Sequence, residues 1–367
     1  MALIFSLVAV LYAVQCIIFI YGILTTHDHP IVDSEPRVSI VVAARNEERF
    51  IKRCISSLVA LDYPKNKLEI IIIDDNSTDG TTTILREFER SYPNVKTLSA
   101  KQGIDQLRGK ANAIAQGIDV SSGEIIMMTD ADCAVPPSWV RGTVQYYTDN
   151  VGVVAGLTLL HADSWFAGMQ SLDWAYILAV ASASMSLKNP LSCIGNNFSF
   201  RKAAYDEIGG YRGIKFSVTE DFALFKAITR SGRWEYHYPL DEKTLVFSDA
   251  CSSPSDLFRQ KKRWGVGGKD MPLSGLLIMA VAFCMHAFVL LGLVLQIQNG
   301  ILLTAVLGKL FADFFLVSIP LFKTKQQAQL KYFAIFEVYY ILYVIALPFM
   351  VFLGGKVVWK GREYSSK

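Results

Sequence analysis

The chain reads as an α/β protein, a mostly parallel sheet flanked by helices, with about four transmembrane helices, one N-terminal and three C-terminal. Three observations lead there. Short β-branched runs alternate with helix-period segments between residues 38 and 128. Four long apolar runs lie outside that stretch. Acidic motifs recur where the β-branched runs end.

The apolar runs come first in the chain and set its organisation. The 367 residues are 52% hydrophobic, with a mean hydropathy of +0.31, and the excess is concentrated in those runs. Residues 2–24 are broken only by scattered polar side chains such as Gln15. That length crosses a bilayer core of ~30 Å at about 1.5 Å per residue. A cleaved signal peptide fits less well, because no basic segment precedes the run and no small-x-small site follows it. Residues 273–295, 301–322 and 332–353 form three further runs, the last containing Glu337 and Pro348. The expected organisation is therefore a membrane helix at 1–24, a central domain at 25–253, an interfacial helix at 254–271, membrane helices within 272–354 and a tail at 355–367.

The central domain opens with a Pro-containing polar linker. Residues 38–43 are a buried-type strand, and 47–59 a helix with Ile51, Cys54, Ile55 and Leu58 on one face. A second strand at 68–73 runs into a turn rich in Asp, Ser and Gly, then a helix at 82–90. A strand at 95–98, a helix at 110–120 and a strand at 124–128 follow. Strands separated by helices give a parallel sheet with right-handed crossovers, and ligands bind beyond its carboxyl edge. Asp74-Asp75 and Asp130-Ala131-Asp132 both fall at that edge. Residues 164–187 read as a hydrophobic helix packed on the sheet or in the membrane.

Charge and cysteine usage exclude some classes. A net charge of +3 without a long basic run does not suit a nucleic-acid partner. The six cysteines show no CxxC pair, so neither a zinc site nor a disulfide framework is indicated, and scattered thiols suit a reducing compartment.

Each polar motif has a plain reading beside a chemical one. Asp130 and Asp132 are either a solvated turn or two hard oxygen ligands for Mg2+ or Mn2+, completed by substrate phosphates. Of Asp74 and Asp75, one can cap the following helix while the other accepts hydrogen bonds from a base or ribose. Lys110, at a helix start, is either solvated or a counter-charge for phosphate. Thr219-Glu220-Asp221 is either a capping box or a general base. Gln260, Arg263 and Trp264 lie at helical spacing just before a membrane run. They are either headgroup-level anchors, or a cation for a leaving diphosphate beside a ring that stacks on a sugar.

Taken in order, these motifs resemble the family 2 glycosyltransferases of GT-A fold, in their membrane-embedded branch. That branch includes cellulose and hyaluronan synthases, ceramide glucosyltransferase and glycosyl-diacylglycerol synthases. The resemblance covers about residues 36–270. It rests on Val38-Ser39-Ile40-Val41-Val42-Ala43-Ala44-Arg45-Asn46-Glu47, Asp74-Asp75, Gly109-Lys110-Ala111, Asp130-x-Asp132, Gly195-Asn196-Asn197, Thr219-Glu220-Asp221 and Gln260-x-x-Arg263-Trp264. It implies an inverting, metal-dependent hexosyltransferase whose donor is a nucleotide sugar, a uridine one by preference. Ala43, Arg45, Glu47 and Asp75 would contact the nucleotide, with Lys110 near the ribose or diphosphate. Asp132, helped by Asp130, would hold Mg2+ or Mn2+ on the donor. Asp221, with Glu220 beside it, would be the base. Gly195, Gln260, Arg263 and Trp264 would shape the acceptor and diphosphate side.

Within the resemblance the acceptor stays open. Four membrane runs are few for lining a polysaccharide channel, which favours a membrane lipid as acceptor. The alternatives are a processive polysaccharide synthase, completed by an oligomer or partner subunit, and a catalytically inactive membrane scaffold. Nucleotide sugars place the central domain, now a catalytic domain, in the cytosol of an integral protein of the cell inner membrane or its equivalent. The basic loop 323–331 then falls inside, as the positive-inside rule prefers, and a tail with Lys356, Lys360 and Arg362 falls outside, which it disfavours. A re-entrant or broken last helix at Pro348 would remove that conflict. Within the membrane runs, Lys309 and Asp313 are one turn apart and read as a structural pair, and His286 as a packed polar side chain.

Overall fold

The structure is a computed structural model that describes residues 2–25, 31–102, 107–215, 217, 219–268, 271–295, 300–352, 357–359 and 362–364. Lys356 and Lys360 of the tail, and part of the linker, lie outside the described residues. In chain order the elements are α1 (Ala2–Thr25), β1 (Val38–Ala44), α2 (Ile51–Val59), β2 (Leu68–Asp74), α3 (Thr81–Ser91), β3 (Val95–Ser99), α4 (Gly109–Asp119) and β4 (Ile125–Met128). Then come α5 (Trp139–Val144), β5 (Val151–Ala155), β6 (Thr158–Leu160), α6 (Trp165–Ser186), β7 (Phe198–Arg201), α7 (Lys202–Glu207), α8 (Glu220–Arg230), β8 (Glu235–His237) and β9 (Val246–Ser248). The chain ends with α9 (Pro254–Gly267), α10 (Leu273–Val294), α11 (Gly300–Lys323), α12 (Phe333–Phe352), β10 (Val357–Trp359) and β11 (Arg362–Tyr364). They divide into a sheet unit, Thr26–Leu159 with Ser192–Asp249, and a helical unit, Met1–Thr25, Leu160–Leu191 and Ala250–Lys367.

In the sheet unit seven strands run in the order β3-β2-β1-β4-β7-β5-β8. The first four are mutually parallel, β7 is antiparallel to both its neighbours, and β8 is parallel to β5. β1, β2 and β4 are almost wholly buried, which is why they read as continuous β-branched runs rather than as an alternation. Ile51, Cys54, Ile55 and Leu58 of α2 enter one core cluster with Ile40, Val42, Ile70, Ile72 and Trp139. On α4, a Cβ at Gly117 would stand 2.4 Å from the Ile73 Cδ1 and 2.8 Å from the Val41 Cγ1, so the helix needs a glycine to approach so closely.

One helix differs from expectation. The segment expected to be helical from 47 starts its helix at Ile51. The preceding amides serve other partners. Glu47 N–H donates to the Thr81 Oγ1 at 2.8 Å and Glu48 N–H to the Asp79 Oδ2 at 3.2 Å. Residues 45–48 are thus keyed to the loop after β2, and Asn46 sits at a φ of 53° to make the bend.

Among the described residues, the helical unit has four helices long and apolar enough to cross a membrane: Leu3–Thr25, Leu273–Val294, Gly300–Lys323 and Gln327–Phe352. This is the expected one-plus-three arrangement. α12 continues through Pro348 to Phe352, so the broken last helix is not seen. Buried charges tie the helices together. Lys309 pairs with Asp313 at 2.7 Å, as the one-turn spacing suggested, and also with Glu337 of α12. Tyr12 of α1 donates to Asp313 at 2.5 Å and lies 3.2 Å from the Tyr176 hydroxyl of α6. His286 is packed, with its Nδ1 2.7 Å from the Ala282 carbonyl and its ring edge-on to Tyr340.

Candidate active site

The carboxyl ends of β1, β2 and β4 gather the nucleotide-side candidates. Ala43 sits near the end of β1, half-exposed. Beyond it, the Arg45 Nη1 donates to the Asp75 carbonyl at 2.6 Å, and the Asp75 amide bonds the Ala44 carbonyl at 2.8 Å. The two aspartates separate in role. Asp74 accepts from the Ser77 amide at 2.9 Å and from the Thr82 hydroxyl at 2.5 Å, so it holds the turn and the start of α3. Asp75 is 2% exposed and accepts from the Gln102 Nε2 at 3.0 Å. Glu47 sits in the same loop through its own amide.

Lys110 is not a solvated helix-start lysine. Its ammonium lies 2.5 Å from the Asp130 Oδ1 and 3.5 Å from the Glu220 Oε1, bridging the turn after β4 to the start of α8. Burial works against its charge, but Asp130, Glu220 and Asp221 outweigh that and hold it above the usual lysine range. Gly109, just before it, has a φ of 58°.

At the head of α8 the capping-box reading fails, because Thr219 makes no side-chain cap and lies instead 3.1 Å from the Ser217 hydroxyl. Asp221 faces Gly195, where a Cβ would stand 2.8 Å from its Oδ2. Burial, then the neighbouring Glu220 charge, push the Asp221 carboxyl up to about 6, against the pull of Lys110 and the Phe222 amide. Gly195 is held by its neighbours. Asn196 accepts from the Thr158 hydroxyl at 2.8 Å, and Asn197 donates to the Leu157 and Thr244 carbonyls, each at 2.8 Å.

Asp130 and Asp132 are half-exposed on the turn after β4. Among the described residues no cluster of three or more His, Cys, Asp or Glu could hold a metal. Two carboxylates at one turn are a donor set that suits Mg2+ or Mn2+ when phosphate oxygens and water fill the other positions. The turn has a support that no motif announced. The Arg53 Nη2 donates to the Asp132 carbonyl at 2.6 Å, while Asp249 grips the same guanidinium at 2.7 and 3.1 Å.

In the helical unit, α9 carries Gln260, Arg263 and Trp264. Ser253 caps it by accepting from the Asp256 amide at 3.2 Å, and Pro254 takes the first position, where its missing N–H costs nothing. The Trp264 ring lies 5.3 Å from that of Trp174 on α6. The Gln260 Oε1 is buried with no hydrogen-bond partner among the described residues.

A family model described as Glycosyl transferase family 2 matches residues 39–222. The chain is 28% identical over 240 residues to the poly-beta-1,6-N-acetyl-D-glucosamine synthase of Staphylococcus epidermidis, covering 64% of this chain and 55% of that protein. It is 30% identical over 242 residues to the beta-monoglucosyldiacylglycerol synthase of Nostoc sp., covering 64% of this chain and 49% of that protein. The chain thus spans about half the length of the curated relatives it matches. Among solved structures, the mannosyltransferase PcManGT of Pyrobaculum calidifontis, in complex with GDP-Man and Mn2+, is similar with a TM-score of 0.58 at 18% identity. That match covers 91% of this chain and 99% of that one. Strand order and this similarity together give the GT-A-type fold with long apolar helices that the resemblance implied.

Proposed function

Because the chain belongs to glycosyl transferase family 2, we propose that it is an integral-membrane hexosyltransferase moving a sugar, with inversion, from a nucleotide sugar to an acceptor hydroxyl. The observation that carries this reading is the Lys110 bridge from Asp130 to Glu220, which brings two acidic motifs together beside Asp221. Asp75, Arg45, Glu47 and Ala43 receive the nucleoside. Lys110 balances the diphosphate, and Asp132 with Asp130 holds Mg2+ or Mn2+. When bound, such an ion supplies charge stabilisation to the departing nucleoside diphosphate. Asp221 takes the proton as the acceptor oxygen bonds to the anomeric carbon and the bond from that carbon to the diphosphate oxygen breaks. One in-line displacement inverts the centre. Gln260, Arg263 and Trp264 meet the acceptor, and Gly195 keeps Asp221 accessible. The sheet unit works in the cytosol, where nucleotide sugars are found.

For the acceptor, the reading that leads is the end of a growing glycan, since the polysaccharide synthase relatives include the Staphylococcus epidermidis protein. This reverses the preference drawn from helix number, which an oligomer or partner subunit would offset. A lipid hydroxyl is the second reading, favoured by the Nostoc relative and by the four apolar helices. Purified protein in diacylglycerol-containing vesicles, given labelled UDP-glucose or UDP-N-acetylglucosamine with Mn2+, separates them. A ladder of products supports polymer synthesis, and a single glycolipid supports the second reading. A donor left unconsumed, with GDP-mannose as well, overturns both.

A further inference from the structure

Two positions of Gln260-x-x-Arg263-Trp264 carry no assignment, and one of them holds a buried charge. Lys261 is 1% exposed, and its ammonium pairs with Asp173, itself fully buried in the middle of α6. The same ammonium lies 4.4 Å from the centroid of the Trp264 ring and 5.0 Å from that of Tyr343 on α12. The Tyr339 hydroxyl is 3.5 Å from the Asp173 Oδ2, and Trp174, the next residue, packs on Trp264. α9 is otherwise a polar helix with Arg259, Lys262 and Arg263, none of them buried.

A buried ion pair is poor evidence for stability, because apolar residues of similar volume often hold a fold as well. It does restrict geometry. The ammonium reaches Asp173 while lying over two ring faces, and the two demands together restrict the rotation of α9 about its axis. Trp264, three residues on, shares that face and is fixed by direct contact. Gln260 and Arg263 follow at set angles. Gln260 then keeps a buried acceptor atom with no hydrogen-bond partner among the described residues, as a group held for a ligand would.

The geometry points to Lys261 and Asp173 as a positioning pair for the acceptor side, one that sets the rotation of α9 and hence the pose of Gln260, Arg263 and Trp264. This rests on the proposed role of α9 in meeting the acceptor. The test compares two rates in vesicles, using whichever of UDP-glucose, UDP-N-acetylglucosamine or GDP-mannose the parent consumes. One is donor hydrolysis by water without acceptor, and the other is transfer to acceptor. The double variant Lys261→Met/Asp173→Leu keeps the packing without the charges. It is expected to lose far less donor hydrolysis than transfer, which should slow roughly 10- to 100-fold with a raised acceptor KM. Lys261→Arg, which keeps the charge over the rings, is expected to restore most of the transfer.

Parental transfer by the double variant would overturn the proposal. So would an equal fall in hydrolysis and transfer, which marks a general loss of structure. Should the double variant not fold, Asp173→Glu decides by the same two rates, since it lengthens the pair without removing it. Trp264→Ala and Arg263→Ala test the underlying reading separately. If they transfer normally, the acceptor role of α9 is wrong whatever Lys261 does.

Discussion

Lys110 balances more than one carboxylate, and that imbalance shapes the chemistry around it. With Asp130 and Glu220 drawing on the ammonium, Asp221 is left with burial and a like charge, and its proton affinity rises. The sign follows directly. Below about pH 6 Asp221 holds a proton and cannot accept another, so kcat/KM should climb with pH through about 6 and level above it. Asp221→Asn should lower transfer by about 10²–10⁴-fold. The ionised carboxylate is disfavoured by the fold, so its contribution to stability falls as pH rises from its unfolded value through about 6. At pH 7 the Asn variant should therefore melt no lower than the parent, and thermal unfolding in detergent checks this. Gly195→Ala would press a methyl to 2.8 Å from the Asp221 Oδ2, so it should cost activity while leaving expression intact. Residues such as Asp75, Asp130 and Asp221 were legible in the sequence because polar side chains end or begin apolar elements there. Arg53 was not, because its partners lie 79 and 196 residues away. Asp173 left one usable trace, a lone acid inside an apolar helix.

Between elements, α2 does more than cover the sheet. Its face buries Ile51 to Leu58, while Arg53 reaches the turn after β4 and is braced by Asp249, just beyond β9. Arg53→Lys keeps a charge but loses the forked grip. It should raise the Mn2+ concentration needed for half-maximal transfer, and a Mn2+ titration followed by electron paramagnetic resonance should show weaker binding. Among the membrane helices, Lys309 joins α11 to α12 through Glu337. Lys309→Met leaves buried carboxylates without their cation and should cost about 3–5 kcal/mol, read as a lower melting temperature in detergent. Strands and apolar helices were readable from periodicity alone. The late start of α2 was not, because side chains of the loop after β2 take the amides of Glu47 and Glu48. Nor was the antiparallel β7, whose four residues, Phe198–Arg201, are too short a run to show their direction.

At the scale of the whole molecule, the chain leaves the sheet unit for α6, returns at Ser192, and leaves again after Asp249. Local pattern could show a parallel core and four apolar runs, but not that α6 belongs with the membrane helices. Its polar Gln170 and Asp173 are buried with partners supplied from distant segments, the Cys251 carbonyl and Lys261. Because α12 is continuous through Pro348, the proposed topology has four full crossings, and a reporter fused after residue 352 should lie on the side opposite the sheet unit. The measurement that bears most directly on the central claim is the anomeric configuration of the product made by purified protein from an α-linked nucleotide sugar, read by NMR beside the Asp221→Asn variant. The account predicts a β-linked sugar from the parent and almost none from the variant. An α-linked product, or undiminished transfer by the variant, would contradict it.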